Sequence, residues 1–213
     1  MVAFIWYTPS LVNLKSTTMP MHIDYYLTPT SPWTYLGHER FAQIAKRHGA
    51  AVAVKPVDYG VVFPQSGGLP LGKRAPQRQA YRLSELARWR EHLGVPLNIH
   101  PKFFPADPLQ AACLICAAPE AKRFAVAGDC LRAVWAEEKN IADAGVIAEI
   151  AARHGIADAA AAVARGKALY ESNTQEAVAR QVFGAPTYVY RDELFWGQDR
   201  LDFLDRALKR QAL

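Results

Sequence analysis

Residues 22–54 read as strand, helix, strand, and that order restricts what this chain can fold into more than any other feature. Ile23-Asp-Tyr-Tyr-Leu27 is a short apolar run, and Thr28-Pro-Thr-Ser-Pro32 after it is a turn signal. Residues 22–28 are therefore expected to form a strand. Ser31 is a good helix N-cap, and Pro32 suits the first helical position. Gly37, Phe41, Ile44 and Ala45 keep one face of the helix that follows, and Gly49 supplies the residue just past its end. Ala50-Ala-Val-Ala-Val54 then reads as a short buried strand. Two strands joined through a crossover helix pair in parallel, so the chain opens as an α/β structure.

A related pattern returns near the other end. A helix at about 172–182 leads into Phe183-Gly-Ala-Pro186-Thr-Tyr-Val-Tyr190, a strand entered through a proline. Proline at a strand entry is unusual and suggests a special bond. A cis Ala185-Pro186 bond turns the Ala185 backbone outward, where an extended peptide can pair with it. Leu194-Phe-Trp196 is a further strand after the turn Arg191-Asp-Glu193. The last helix is expected to begin near Asp199, with Leu201, Leu204 and Leu208 inward.

Between these halves, residues 59–75 are rich in Gly and Pro and read as a loop. Helices are expected from Pro76 to Gly94, from Asp107-Pro108 to near Pro119, over 120–139, near 143–154 and over 157–168. The chain thus reads as one fold with an insertion. Residues 21–60 and 172–213 make one domain, and 61–171 make an inserted loop and helical subdomain. With 213 residues and 51% hydrophobic content, it can bury one sizeable core.

Several function classes fall away on composition. A net charge of +5 suits an anionic small molecule; nucleic-acid binding usually needs a denser basic stripe with exposed aromatics. No apolar stretch approaches the ~20 residues of a membrane span, so no membrane partner is expected. Residues 1–20 lack a basic segment before their apolar stretch and a clean small-residue cleavage site. They read as a floppy extension or an over-extended start, with Met19 or Met21 the natural beginning. A cytoplasmic location follows.

Cys113, Cys116 and Cys130 do not make a disulfide framework. Cys113-Leu-Ile-Cys116 lies well inside a helix, whereas a redox pair normally opens one. No second ligand pair accompanies it and the six histidines stand singly, so no metal is expected. Arg74, Arg78 and Arg82 share one helix face. That face is either simply solvated or an attraction for a carboxylate-bearing substrate.

Two segments carry candidate chemistry. Ser31 stands at a helix N-terminus, where unpaired N–H groups and partial positive charge stabilise a thiolate. Its hydroxyl can add a hydrogen bond to such a thiolate, or it can serve only as a cap. At Gly197-Gln198-Asp199, backbone N–H groups can hold a carboxylate and the Asp199 carboxylate can hold an ammonium group. An α-amino acid head has both charges. The bland alternative is that Asp199 is an N-cap.

Six stretches taken together carry a family resemblance: Ile23-Asp-Tyr-Tyr26, Ser31-Pro-Trp-Thr-Tyr-Leu36, Leu86-Ala-Arg-Trp89, Val134-Trp135, Val182-Phe-Gly-Ala-Pro-Thr187 and Phe195-Trp-Gly-Gln-Asp-Arg-Leu201. The chain resembles the 2-hydroxychromene-2-carboxylate isomerases, relatives of kappa-class glutathione transferases and of DsbA-like oxidoreductases. The resemblance implies an α/β thioredoxin-like fold with a large all-helical insertion, glutathione as cofactor, a small anionic aromatic substrate and a homodimer. Ser31, in place of a nucleophilic cysteine, would contact the glutathione sulfur as the catalytic residue. Ala185 and cis-Pro186 would pair with the cysteinyl backbone, and Gln198 and Asp199 would hold the γ-glutamyl head.

One departure is plain. Isomerases of this family usually carry a Gly-Asn step in the loop after the second strand, and Phe63-Pro-Gln-Ser-Gly-Gly-Leu-Pro70 has no asparagine. The implied reaction is reversible addition of glutathione thiolate to a conjugated acid, rotation about the resulting single bond, and loss of the thiolate. Three alternatives stay open: a kappa-like transferase that keeps the adduct, a thiol-disulfide oxidoreductase, and a non-catalytic binding module of the same fold.

Overall fold

The computed structural model describes residues 21–210; the expectations for residues 1–20 lie outside them. The first expected unit is present. Strand β1 (His22–Leu27) leads to helix α1 (Pro32–His48) and strand β2 (Ala51–Pro56), and β1 pairs with β2 in parallel, Tyr25 opposite Val54. The helix begins as its sequence requires. Ser31 Oγ accepts the Thr34 N–H at 3.1 Å, and Pro32, which has no N–H, opens the first turn. It ends on Lys46, Arg47 and His48, cations suited to a helix C-terminus, and on Gly49 at φ 60°.

Strand β3 (Thr187–Tyr190) runs antiparallel to β1, and β4 (Glu193–Trp196) runs antiparallel to β3. The sheet order is β2-β1-β3-β4. Its inner strand β1 is buried on both faces. Ile23, Tyr25 and Leu27 enter one apolar cluster, and Tyr26 enters another with Tyr59, Val62, Ala177 and Val182, as the two-residue period of a strand demands.

Two expectations are corrected. Residues 59–75 are not all loop. They contain helix α2 (Tyr59–Ser66) and a 3-10 turn at Leu71–Lys73. Asp58 caps α2 by accepting the Gly60 N–H at 2.8 Å, and Tyr59 and Val62 are buried beneath it. Tertiary burial therefore overrides the internal Pro64, which local propensity treats as a breaker. After α3 (Pro76–Leu93), α4 (Leu109–Ala117), α5 (Glu120–Trp135) and α6 (Ala144–Arg153), the two helices expected over 157–168 and 172–182 are one, α7 (Ala159–Ala179). The 171/172 point thus falls inside a helix. Asn173 and Thr174, which read as a break, have partners of their own. Thr174 Oγ1 donates to Tyr170 O at 2.9 Å and accepts the Asp58 N–H at 3.0 Å, and Asn173 donates to Cys116 Sγ at 3.7 Å.

The chain closes with a 3-10 turn at Gln198–Arg200 and helix α8 (Leu201–Lys209), whose Leu201, Leu204 and Leu208 are buried. Asp205 ties α8 to the end of α1, accepting from His48 Nε2 at 2.8 Å, Arg47 Nη2 at 2.9 Å and Lys209 Nζ at 2.8 Å. Burial acts to raise this carboxyl, but the hydrogen bonds from Lys209, His48 and Arg47 outweigh it and hold it well below the usual carboxylate range. A depressed folded-state value stabilises the fold above the unfolded value of about 3.9, and the contribution is lost as pH falls through the folded one. Asp205→Asn is therefore expected to lower the melting temperature at pH 7. The gap from the parent should narrow on going to pH 2, as thermal melts at several pH values would reveal. A gap that persists unchanged at pH 2 would mean that the carboxylate charge is not what stabilises this junction.

No described helix is long and apolar enough to cross a membrane.

Candidate active site

Three of the five residues singled out above, Ser31, Ala185 and Pro186, meet at one short stretch of backbone. The Ala185-Pro186 bond is cis. The Gly184 carbonyl just before it is fixed by Tyr59 OH at 2.8 Å and Thr187 Oγ1 at 2.7 Å. Ser31 Oγ, almost fully buried, faces Ala185 O at 3.5 Å. That separation is too long for a strong O–H···O bond. With its oxygen already accepting from Thr34, the Ser31 hydroxyl retains a proton without a good local acceptor. The Pro186 carbonyl takes the Gly197 N–H at 2.9 Å, which fastens the 197–199 segment beside the same strand.

Gly197 has φ 103°, and a Cβ there would lie 2.4 Å from Asp199 Oδ1. The Asp199 carboxylate therefore folds back over the glycine, partly exposed and 3.5 Å from Arg200 Nε. Gln198 is different. It is 2% exposed, and Arg40 Nη1 donates to its Oε1 at 2.7 Å and to its backbone O at 3.3 Å. Its side chain is thus a fixed strut. Arg40 escaped sequence reasoning because nothing local marks a partner 158 positions away.

Ala185, Gln198 and Asp199 line a cleft of about 540 Å³. Trp33, from the first turn of α1, and Trp196 line it too, and α3 supplies the facing wall. Ser31 and Pro186 lie beside the cleft and are not part of its lining. Tyr81 and Trp89 add aromatic surface from α3, and Arg74, Arg78 and Arg82 bring cations. The arginine face read from the sequence as solvated or substrate-attracting is thus part of the cleft. Burial and the neighbouring Arg74 charge bring Arg82 down to about 10, and burial followed by Arg78 lowers Arg74. Glu85, on the same wall, is paired with Arg88. No residue of Phe63–Pro70 lines the cleft.

Cys113 and Cys116 are buried within α4. Burial, then the Cys113 sulfur, pushes the Cys116 thiol up to about 12, and burial raises Cys113. Both shifts disfavour the thiolate that disulfide exchange requires. Among the described residues no cluster of His, Cys, Asp and Glu could hold a metal ion.

The order of β1, α1, β2, the cis-proline strand β3 and β4, with helices inserted between the halves, matches the model of the DSBA-like thioredoxin domain over residues 22–209. The chain belongs to that family. Among its relatives, 2-hydroxychromene-2-carboxylate isomerase of Sphingobium xenophagum is 29% identical over 195 residues, which cover 89% of this chain and 99% of that one. The Pseudomonas putida isomerase of the same name is 28% identical, over 89% of this chain and 95% of that one. A solved 2-hydroxychromene-2-carboxylate isomerase superposes with a TM-score of 0.78 at 27% identity, covering 90% of this chain and 96% of the other. A cytosolic disulfide reductase of Pseudomonas aeruginosa, solved with GSH, shares the fold at 20% identity and a TM-score of 0.62, over 88% of this DSBA-like chain and 99% of its own. The fold is thus the expected α/β thioredoxin-like one, with helices α3 to α6 between its two sheet-forming halves. The named relatives are enzymes, isomerases by name.

Proposed function

We propose that this DSBA-like protein is a glutathione-dependent isomerase of conjugated aromatic carboxylic acids. The observation that carries the reading is the Ser31 hydroxyl. It sits at the N-terminus of α1 beside the Ala185 carbonyl, where other proteins of the fold place a thiol, and it has no strong acceptor of its own. A thiolate brought by glutathione supplies that acceptor and gains the helix N-terminus as well. The tripeptide's cysteinyl backbone pairs with Ala185, and its γ-glutamyl ammonium meets Asp199. Gln198 shapes this end through Arg40 rather than through its own amide.

The cleft supports this substrate class. Trp33, Tyr81, Trp89 and Trp196 offer flat aromatic surface, and the arginines of α3 favour an anion. Thiolate adds to a conjugated carbon, the double bond becomes single and rotates, and the thiolate leaves. Glutathione is regenerated, and the excess electron density is stabilised while the adduct exists. The relatives' shared name supports isomerisation over conjugation.

The test is the ultraviolet spectrum of 2-hydroxychromene-2-carboxylate with enzyme, with and without glutathione, together with assay of free thiol. Conversion that needs glutathione and leaves its concentration unchanged is expected. Consumption of thiol with a stable adduct would instead identify a transferase. Absence of glutathione binding by calorimetry at millimolar concentration would overturn the reading and leave a binding module of this fold.

A further inference from the structure

The charge distribution along α3 and the turn before it is unbalanced. Glu85 is paired with Arg88, whereas among the described residues Arg74, Arg78 and Arg82 have no ion-pair partner. Arg82 is the most constrained of the three. Its guanidinium lies over the Phe104 ring at 5.2 Å and over the Trp135 ring at 5.8 Å. Its Nη2 is buried and donates to nothing, and the same holds for the indole Nε1 of Trp135. Buried polar groups normally find partners, and each one left without costs free energy. Here two fixed N–H donors, one of them cationic, are left unmatched on neighbouring side chains. Neither can be satisfied by rotating, as a hydroxyl can.

What satisfies donors is an acceptor, and what offsets a half-buried guanidinium is a negative charge. We infer that Arg82 is the receptor for the carboxylate of the substrate. The group fits in shape as well as charge. A carboxylate is planar and takes the arginine fork through both oxygens. Arg74 and Arg78, on the same cleft wall, hold no fixed contact with it and attract the anion as it enters. The substrate then lies with its acid end on the α3 wall. Its conjugated carbons extend toward Ala185 and the sulfur site, and the Asp199 end is left to glutathione. Arg82 is a specificity-determining residue in this scheme and takes no part in bond making.

The inference rests on the isomerase reading for the identity of the substrate, but its test does not need turnover. Cinnamate and cinnamamide share a conjugated aromatic frame and differ in charge. Calorimetry on the full chain should find cinnamate bound about tenfold or more tightly than cinnamamide, the difference expected for a charged hydrogen bond. Arg82→Met should abolish that preference and leave cinnamamide and glutathione affinity within about twofold, while Arg82→Lys should restore part of it. In the parent, the Arg82 side-chain N–H resonance should move on adding cinnamate and stay in place with cinnamamide, which keeps the test decisive if Arg82→Met does not fold. Equal affinity for acid and amide, binding of neither, a preference that survives Arg82→Met, or an unmoved Arg82 resonance would each overturn the assignment. If cinnamate binding depends on Arg82 while glutathione does not bind, the receptor stands and the glutathione reading falls.

Discussion

Ser31→Ala is expected to slow glutathione-dependent turnover about 10²-fold, the scale seen when one fixed donor to a developing or bound anion is removed. Two roles meet in this side chain and must be separated. As a cap, Ser31 accepts the Thr34 N–H, and its loss costs about 1 kcal/mol, or about 2–4 °C of melting temperature for a chain of this size. As a donor, its hydroxyl proton is available to a thiolate. Ser31→Asp divides the two, because aspartate caps as well as serine but sets a negative charge against the sulfur. The aspartate variant should keep the parent's melting temperature and lose turnover at least as severely as alanine. The absorbance of bound glutathione thiolate, titrated against pH, supplies the direct readout, and both variants should shift its midpoint upward. An alanine variant that melts early but turns over normally, with an unmoved titration, would reduce Ser31 to a cap.

Gly166→Ala is expected to be the most destabilising single methyl group in the fold. In an open helix this change stabilises by about 1 kcal/mol. Gly166, however, sits where α7 crosses α4, and a Cβ there would lie 1.9 Å from the Cys113 carbonyl oxygen and 3.1 Å from Ala117 N. These are backbone atoms and cannot rotate aside, so the two helices must separate. Overpacking of this kind costs about 3 kcal/mol or more, which reverses the sign set by propensity. The melting temperature should fall by about 6–12 °C. Gly72→Ala, where nothing lies within 4 Å of the added Cβ, should leave it nearly unchanged. A Gly166→Ala protein that melts with its parent would mean that α4 and α7 slide apart at little cost.

What could be read before folding was local. The Ser31 cap, the Gly49 terminator and the Pro186 strand entry each depend on a few neighbouring residues, and all three are where the sequence puts them. Helix α2 and the continuity of α7 were not legible, since each is decided by partners far along the chain. Tyr59 and Val62 are drawn under the sheet, and Thr174 turns to the Asp58 backbone. Of the site, Ser31, Ala185, Pro186, Gln198 and Asp199 could be picked out as motif positions. The bond from Arg40 that holds the Gln198 side chain had no local signal.

The sequence by itself therefore determined the strand-helix-strand start, the proline-entered strand near the end, and a hydroxyl where this fold would hold a thiol. Residue type and spacing fix the backbone over three or four positions, and those features need no more. Only the tertiary structure decided that the arginine face of α3 closes over a cleft, and that Arg40 locks Gln198. It also decided that two buried donors, Arg82 Nη2 and Trp135 Nε1, are left without an acceptor. A surface arginine and a cleft arginine look alike in a sequence, because the difference between them is which distant residues exclude water from their sides.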